Sequence, residues 1–171
     1  MLSEKMQNEL NEQLNYELFS AYVYFSMEAY FLDKNLNGFA NWMHVQAMEE
    51  MTHVLKFFNF LHESDGRVLL KPVEGPRTEW GSSLEAFEEA YAHEQSVTRR
   101  IHNIVDLALQ EKDFATHSFL QWFVNEQVEE ENNAKQNVQN VKMVSDNSGA
   151  IFLLDRELAA RVFVPPAASA E

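Results

Sequence analysis

Glu50 and His53 form a Glu-x-x-His pair whose residue types and spacing suit a metal ion. Residues three apart lie on one face of an α-helix, so a single helix could direct both side chains at one ion. The chain contains no cysteine, which excludes thiolate ligands, disulfides and cysteine nucleophiles. Any metal is therefore held by carboxylate, imidazole or amide groups, which suit iron, manganese, magnesium or calcium.

Carboxylates also interrupt the apolar stripes of the other predicted helices. Apolar residues at alternating spacings of three and four predict four long helices. These helices span 4–34, 38–64, 83–111 and 114–144. Each stripe is apolar except near its middle, and the polar residues there are Glu17, Glu50, His53, Glu94, Gln127 and Glu130. Isolated buried carboxylates are strongly disfavoured, and no Lys or Arg stands in these layers, so we expect metal cations to neutralise them.

The polar positions also agree in depth along the predicted helices. If the second and third helices run parallel and the other two are reversed, all of them fall in one layer. That layer lies on the order of 18–25 Å from one end of the bundle. The four helices therefore predict a single site for two metal ions in the core.

The breaks between the helices predict the topology. The breaks at 33–37 and 111–113 are short, so each joins antiparallel neighbours. The break at 65–81 could extend over roughly 55 Å, whereas a helix such as 38–64 is roughly 40 Å long. This crossover lets the third helix lie parallel to the second. Ser82 and Glu85 predict a capping box at the start of the third helix.

These features predict an all-α fold in one domain over residues 1–171. It comprises a four-helix bundle at 4–144, a short fifth helix at 148–158 and a frayed tail at 163–171. The fifth helix is apolar and too short to be stable alone, so we expect it to dock onto another surface such as a neighbouring subunit.

The charge balance excludes several classes of partner. The chain has 27 acidic and 13 basic residues, for a formal net charge of −14. Such a surface repels phosphate backbones and anionic membranes, so we expect no nucleic-acid or membrane partner. We see neither an 18-residue apolar run nor a signal peptide, and we expect a cytoplasmic protein.

The combined pattern resembles the bacterial non-haem ferritins over nearly the whole chain. The likeness is carried by the crossover, the fifth helix and three segments: Asn15-Tyr-Glu-Leu, Glu49-Glu-Met-Thr-His and Gln121-Trp-Phe-Val-Asn-Glu-Gln-Val-Glu-Glu-Glu. The resemblance implies a ferritin-like bundle and a hollow shell of 24 subunits, with the fifth helix lining four-fold channels. It also implies a ferroxidase, which oxidises Fe(II) with O2 or H2O2 and stores the product as a ferric mineral.

The resemblance further implies a centre that holds two iron ions per subunit. The first iron would be held by Glu17, Glu50 and His53. Glu50 would bridge to the second iron, which Glu94 and Glu130 would hold with Gln127 close by. Tyr24 matches the tyrosine that the family places beside the centre, although it could equally be a core aromatic. A candidate third iron site maps to Glu49, Glu126, Glu129 and Glu130.

Three positions bear on iron entry and on haem. Animal ferritins place carboxylates along three-fold channels, whereas His117 and Leu120 stand at the corresponding positions here. The acidic entry route of animal ferritins is therefore not expected. Met51 stands where bacterioferritins, which resemble this chain, have a haem-ligating methionine. Those proteins carry Glu and His where this chain has Gln127 and Glu130, so we expect no haem.

Two other classes of protein share some of these features. A di-iron peroxidase of the rubrerythrin type would use a similar centre without storing iron, but the chain lacks the cysteines of the usual rubredoxin module. A structural or DNA-compacting shell with an idle metal site is the other alternative, and the net charge of −14 argues against DNA binding.

Overall fold

The computed structural model describes residues 2–165, in which it contains five α-helices and no strand. The helices are α1 (Glu4–Asp33), α2 (Asn37–Glu63), α3 (Ser83–Glu111), α4 (Phe114–Val144) and α5 (Ser148–Leu158). Their bounds lie within one residue of the predicted ones, and the predicted all-α bundle is confirmed. Within 2–165, none of the helices combines the length and apolar character needed to cross a membrane.

Side chains at the helix ends explain where the helices begin. Ser3, Ser82, Asp113 and Asn147 each accept a hydrogen bond from a backbone N–H in the first turn of α1, α3, α4 and α5. This satisfies donors that have no partner within the helix. Ser82 accepts from the N–H of Glu85, as predicted, but the Glu85 carboxylate accepts from the N–H of Gly81 rather than from that of Ser82.

The start of α2 is capped by α5 instead of by its own flanking residue. Leu36 offers no capping side chain, and Asp155 Oδ1 accepts from the N–H groups of Gly38 at 2.8 Å and Phe39 at 3.0 Å. A Cβ on residue 38 would lie 1.5 Å from the carbonyl oxygen of Asp155, so only glycine permits this approach. The expected docking of α5 therefore occurs within the chain, and Leu158 joins the core.

The long crossover runs along α1 from end to end. The carbonyl of Arg67 accepts from Asn11, the N–H of Lys71 donates to Asn15, the carbonyl of Arg77 accepts from Ser26 and that of Trp80 accepts from Tyr30. Positions in the crossover and in α1 advance together, so the two segments run in the same direction. Because α2 packs antiparallel to α1 after a tight turn, α3 starts where α2 starts and runs parallel to it.

Two apolar clusters fill the bundle on either side of a polar layer. One cluster contains Phe31, Phe39 and Phe87, and the other contains Leu14, Phe57, Ile101 and Phe123. The predicted polar residues are buried between them. The fold thus holds charged groups in the middle of its core, at the depth that the helix stripes predict.

Candidate metal centre

The four long helices bury every residue that we predicted for the two-metal centre. None of these side chains is more than 4% exposed, and they are Glu17, Tyr24, Glu50, His53, Glu94, Gln127 and Glu130. Each long helix contributes at least one carboxylate, as the stripes predict. Side chains of this kind are almost never buried unless they are paired or bound to a metal.

Three of these residues form a compact ligand group. Glu17, Glu50 and His53 each offer one ligating atom, and these atoms all lie within 4.8 Å of one another. Nδ1 of His53 lies 3.2 Å from Oε2 of Glu50. Oε2 of Glu17 is buried without a hydrogen-bond partner. Buried polar atoms nearly always have a partner, so this oxygen is free to bind a cation.

The other half of the centre is organised by hydrogen bonds to Glu94 and Glu130. Tyr24 donates its hydroxyl to Oε1 of Glu94, and Nε2 of Gln127 donates to Oε2 of Glu94 at 3.2 Å. Nε2 of Gln46 donates to Oε2 of Glu130 at 2.7 Å. Neither glutamate belongs to the compact group around Glu50. The two halves are therefore neighbouring but geometrically distinct.

Burial and like charge both favour the protonated carboxyls. Burial raises the pKa of Glu50 well above its ordinary value, and the negative charge of Glu94 raises it further. The pKa of Glu94 rises to about 8, first because of burial and then because of Glu130. An unpaired buried ion costs several kcal/mol, more than the ~2–3 kcal/mol gained by burying a core Phe. Protons or cations must therefore neutralise this layer.

A second layer of residues orients the ligands. Gln13 is fully buried and its Nε2 donates to Oε1 of Glu17 at 2.8 Å, while Nε of Arg100 donates to Oε1 of Gln13 at 3.0 Å. Gln46 likewise orients Glu130 by donating a hydrogen bond to its carboxylate. Gln13 is not among the predicted site residues, although its position one helical turn before Glu17 is a usable signal.

Comparison with known proteins agrees with this arrangement. Residues 7–144 match the family model described as "Ferritin-like domain". The chain belongs to the ferritin family. It is 40% identical over 163 residues to the "Bacterial non-heme ferritin" of Staphylococcus saprophyticus, covering 95% of this chain and 98% of the relative. It is 39% identical over 163 residues, with the same coverage, to the protein of that name from Staphylococcus aureus. This membership supports a role in iron storage.

Solved structures of archaeal ferritins are also similar to the chain. The "novel open pore ferritin" of Archaeoglobus fulgidus is 51% identical with a TM-score of 0.94, covering 95% of this chain and 99% of the other. A closed form of the Archaeoglobus fulgidus ferritin, engineered by mutagenesis, also gives 51% and 0.94, with 96% and 100% covered. The predicted likeness to the bacterial non-haem ferritins is confirmed, and it extends to archaeal ones.

The residues of the candidate third site lie farther apart than the compact group around Glu50 and are less buried. Glu49 and Glu126 line a cavity of about 170 Å³ together with His53, whereas Glu129 is exposed. Burial raises the pKa of Glu49 to about 7 although the positive charge of Arg161 lowers it, and burial also raises the pKa of Glu126. The three carboxylates do not form a compact ligand group of the kind seen around Glu50.

His117 and Leu120, at the positions of the animal entry carboxylates, have different surroundings in the structure. His117 is partly exposed, and its ring lies beside Gln121. Leu120 is fully buried in the core with Phe123. Its side chain therefore packs inside the bundle, as the apolar spacing of three and four residues along the fourth helix predicts.

Proposed function

We propose that this ferritin-family chain is a ferroxidase that oxidises Fe(II) at its buried carboxylate layer and stores the product as a ferric mineral. The observation that carries the proposal is the buried group of Glu17, Glu50 and His53, in which one carboxylate oxygen has no protein partner. Structural carboxylates have their oxygens paired, whereas a binding site keeps one available.

In this proposal the substrate irons occupy the two halves of the layer. Glu17, Glu50 and His53 hold the first, and Glu94 and Glu130 hold the second. Glu50 would bridge them, which is supported by its position near the negative charges of Glu94 and Glu130. Gln127 and Tyr24 act through hydrogen bonds to Glu94 and fix the direction of its carboxylate.

The residues of this layer favour the oxidised product. Hard carboxylate oxygens stabilise Fe(III) more than Fe(II). Two Fe(II) ions supply one electron each, and O2 takes up two electrons and two protons to become H2O2. With H2O2 as oxidant, the same two electrons and two protons give two waters. The high pKa of Glu94 makes its protonated form available as a proton source when a cation displaces that proton.

Assembly into a shell of 24 subunits belongs to the same proposal. The similar archaeal structures are described as an open-pore ferritin and a closed form, and we take a pore to be a feature of an assembly. Leu32, Leu55 and Leu70 are each at least half exposed on α1, α2 and the crossover. Other large apolar side chains are exposed on α3, α4 and α5, and contacts with other subunits would cover part of this surface. We propose in addition two irons per centre, a third site at Glu49, Glu126, Glu129 and Glu130, and a cytoplasmic location.

Aerobic mixing with Fe(II) tests the ferroxidase activity. We expect rapid formation of ferric absorbance and a ferric product that stays in solution in the wild type. Glu50→Ala and Glu130→Ala should slow the initial rate by at least tenfold, since each removes a ligand from the layer. Glu88→Ala, which alters an exposed residue of α3, is the matched control. Wild-type rates in Glu50→Ala would show that the centre is wrongly assigned.

The purified assembly tests the remaining parts of the proposal. Its mass by native mass spectrometry should equal that of 24 chains, and a small oligomer would instead favour a rubrerythrin-type enzyme. We propose that Met51 binds no haem and that the shell binds no DNA. A Soret band with one haem per subunit pair, or a gel shift at low salt, would contradict these two statements.

A further inference from the structure

The chain after α5 folds back across α2 toward the metal centre. We name residues 159–164 the C-terminal strap. Nδ2 of Asn41 donates to the carbonyl oxygen of Leu158 at 3.2 Å and to that of Arg161 at 2.9 Å. These bonds fix the backbone of the strap at its first turn against the side of α2. The predicted frayed tail begins within this strap, at residue 163, and residues 166–171 lie outside the described part.

The strap then covers the cavity beside His53. Phe163 and Val164 line this cavity together with Glu49, Glu126 and His53. His53 itself is only 2% exposed, and its ring contacts that of Trp122 on the opposite wall at 5.5 Å between centroids. The cavity therefore lies between His53 of the ligand layer and the surface, and the strap forms part of its wall.

Arg161 places a positive charge on one carboxylate of this passage. Its Nη2 donates to Oε2 of Glu49 at 2.6 Å, and its Nη1 donates to the carbonyl of Trp42 at 3.4 Å. The guanidinium also lies 4.9 Å from the centre of the Trp42 ring. Both partners of the ion pair are about three-quarters buried, with 22% and 26% of their side chains exposed. Charge-assisted bonds in such partly buried places are stronger than surface pairs.

This ion pair is distinctive among the contacts of the predicted ligands. Within residues 2–165, it is the one salt bridge that joins a Lys or Arg to a predicted metal ligand. Glu130 and Glu126 also lie near Glu49, with His53 as a second basic group, while Lys56 acts on Glu126. Arg161 thus supplies the charge that a cation would supply.

We propose that Arg161 occupies the place of a cation at Glu49, so that a metal ion binds Glu49 and Glu126 only by displacing the C-terminal strap. The proposal rests on the proposed metal centre. It makes Arg161 a residue that lowers the affinity of the outer carboxylates for metal. Ions in the buried layer and ions at the outer carboxylates would then differ in affinity because of a residue on the strap.

Calorimetric titration of the metal-free assembly with Zn²⁺ tests this proposal without any redox step. Wild type should show a weak outer site beside its tighter buried sites. Arg161→Gln should tighten the weak site by about tenfold, because a charge-assisted competitor is lost. Arg161→Lys, which keeps the charge, should remain within a few-fold of wild type. Equal affinities in wild type and Arg161→Gln would overturn the proposal.

Two further variants separate the charge of Arg161 from the covering effect of the strap. Asn41→Ala loosens the strap but retains Arg161, so it should give a smaller gain than Arg161→Gln. An equal gain would show that the charge has no role of its own. In a Glu49→Gln background, Arg161→Gln should give no gain, and a persisting gain would also overturn the proposal.

The Zn²⁺ comparison can be interpreted independently of a folding defect and of the proposed ferroxidase activity. Arg161→Met keeps the aliphatic stem against Trp42 and replaces Arg161→Gln if that variant does not assemble. Failure of wild type to oxidise Fe(II) would contradict the proposed function, yet the Zn²⁺ comparison would still decide the role of Arg161. Rapid oxidation in wild type with unchanged Zn²⁺ affinity in Arg161→Gln would remove the strap proposal alone.

Discussion

Glu17 shows how the protein prepares a single ligand. One of its oxygens accepts a hydrogen bond from Gln13, and the other is buried without a partner. Gln13 is in turn held by Arg100, whose guanidinium lies 4.3 Å from the centre of the Tyr16 ring. The carboxylate is therefore fixed in direction before any ion arrives. Fixing a ligand in advance reduces the entropy that binding would otherwise cost.

Gln13→Leu should weaken the proposed centre without removing a ligand. The leucine has a similar volume, but Oε1 of Glu17 loses its donor, so the carboxylate can turn away. Changes in such supporting residues typically cost 10–100-fold in metal affinity or activity. We therefore expect Fe(II) oxidation and Zn²⁺ affinity to fall by roughly tenfold or more.

Glu9→Ala on the exposed face of α1 is the matched control for Gln13→Leu. Stopped-flow absorbance and calorimetry measure the rate and the affinity. Circular dichroism shows whether the bundle remains folded. Oxidation at the wild-type rate by folded Gln13→Leu would show that Gln13 does not position Glu17.

The ligands could be predicted from sequence more readily than the residues that support them. A carboxylate in an apolar stripe is conspicuous, because its burial is costly unless it is neutralised. A glutamine on a helix face is ordinary, and the position of Gln13 one turn before Glu17 is its one local signal. Its partner Arg100 is 87 positions away, so the bond depends on how α1 packs against α3. Arg161 was missed for the same reason, since its pairing with Glu49 depends on the path of the strap.

At the scale of whole elements, local signals predicted the helix bounds, while tertiary contacts determined the docking of α5. Ser82 and Asp113 provide caps that can be recognised from sequence. The cap of α2 cannot be recognised in this way, because Asp155 lies more than 100 positions from the N–H groups that it accepts from. Only part of α5 is covered, since Phe152 and Leu153 remain 58% and 68% exposed.

Asp155→Ala should therefore destabilise the contact between α5 and α2. It removes the acceptor for two backbone N–H groups and a negative charge at a helix N-terminus, which together are worth about 1–2 kcal/mol. We expect calorimetry to show a lower unfolding temperature. Asp155→Asn, which keeps an acceptor, should recover part of the loss. Asp106→Ala, at an exposed position of α3, serves as the control, and an unchanged unfolding temperature in Asp155→Ala would refute the capping role.

At the scale of the whole molecule, the acidic surface and the buried carboxyl layer both destabilise the folded chain at neutral pH. The net charge of −14 opposes compaction at neutral pH. The buried layer adds a second cost, since several carboxyls there have raised pKa values. Binding of a cation lowers both costs, because it neutralises the layer and reduces the net negative charge. Stability of the fold and occupation of the centre are therefore linked.

The metal-free protein should lose stability as the pH rises from about 5 to 8. The pKa of Glu94 is raised to about 8 in the folded chain, whereas in the unfolded chain it keeps its ordinary value near 4.5. Between these values the folded state holds a proton that the unfolded state has released, so raising the pH favours unfolding. Calorimetry after chelation should show the unfolding temperature falling across this range. Zn²⁺, which replaces the proton, should bind more tightly as the pH rises and should restore stability at pH 8. Glu94→Gln, neutral at every pH, should flatten the dependence, and a rising unfolding temperature in the metal-free wild type would contradict the raised pKa.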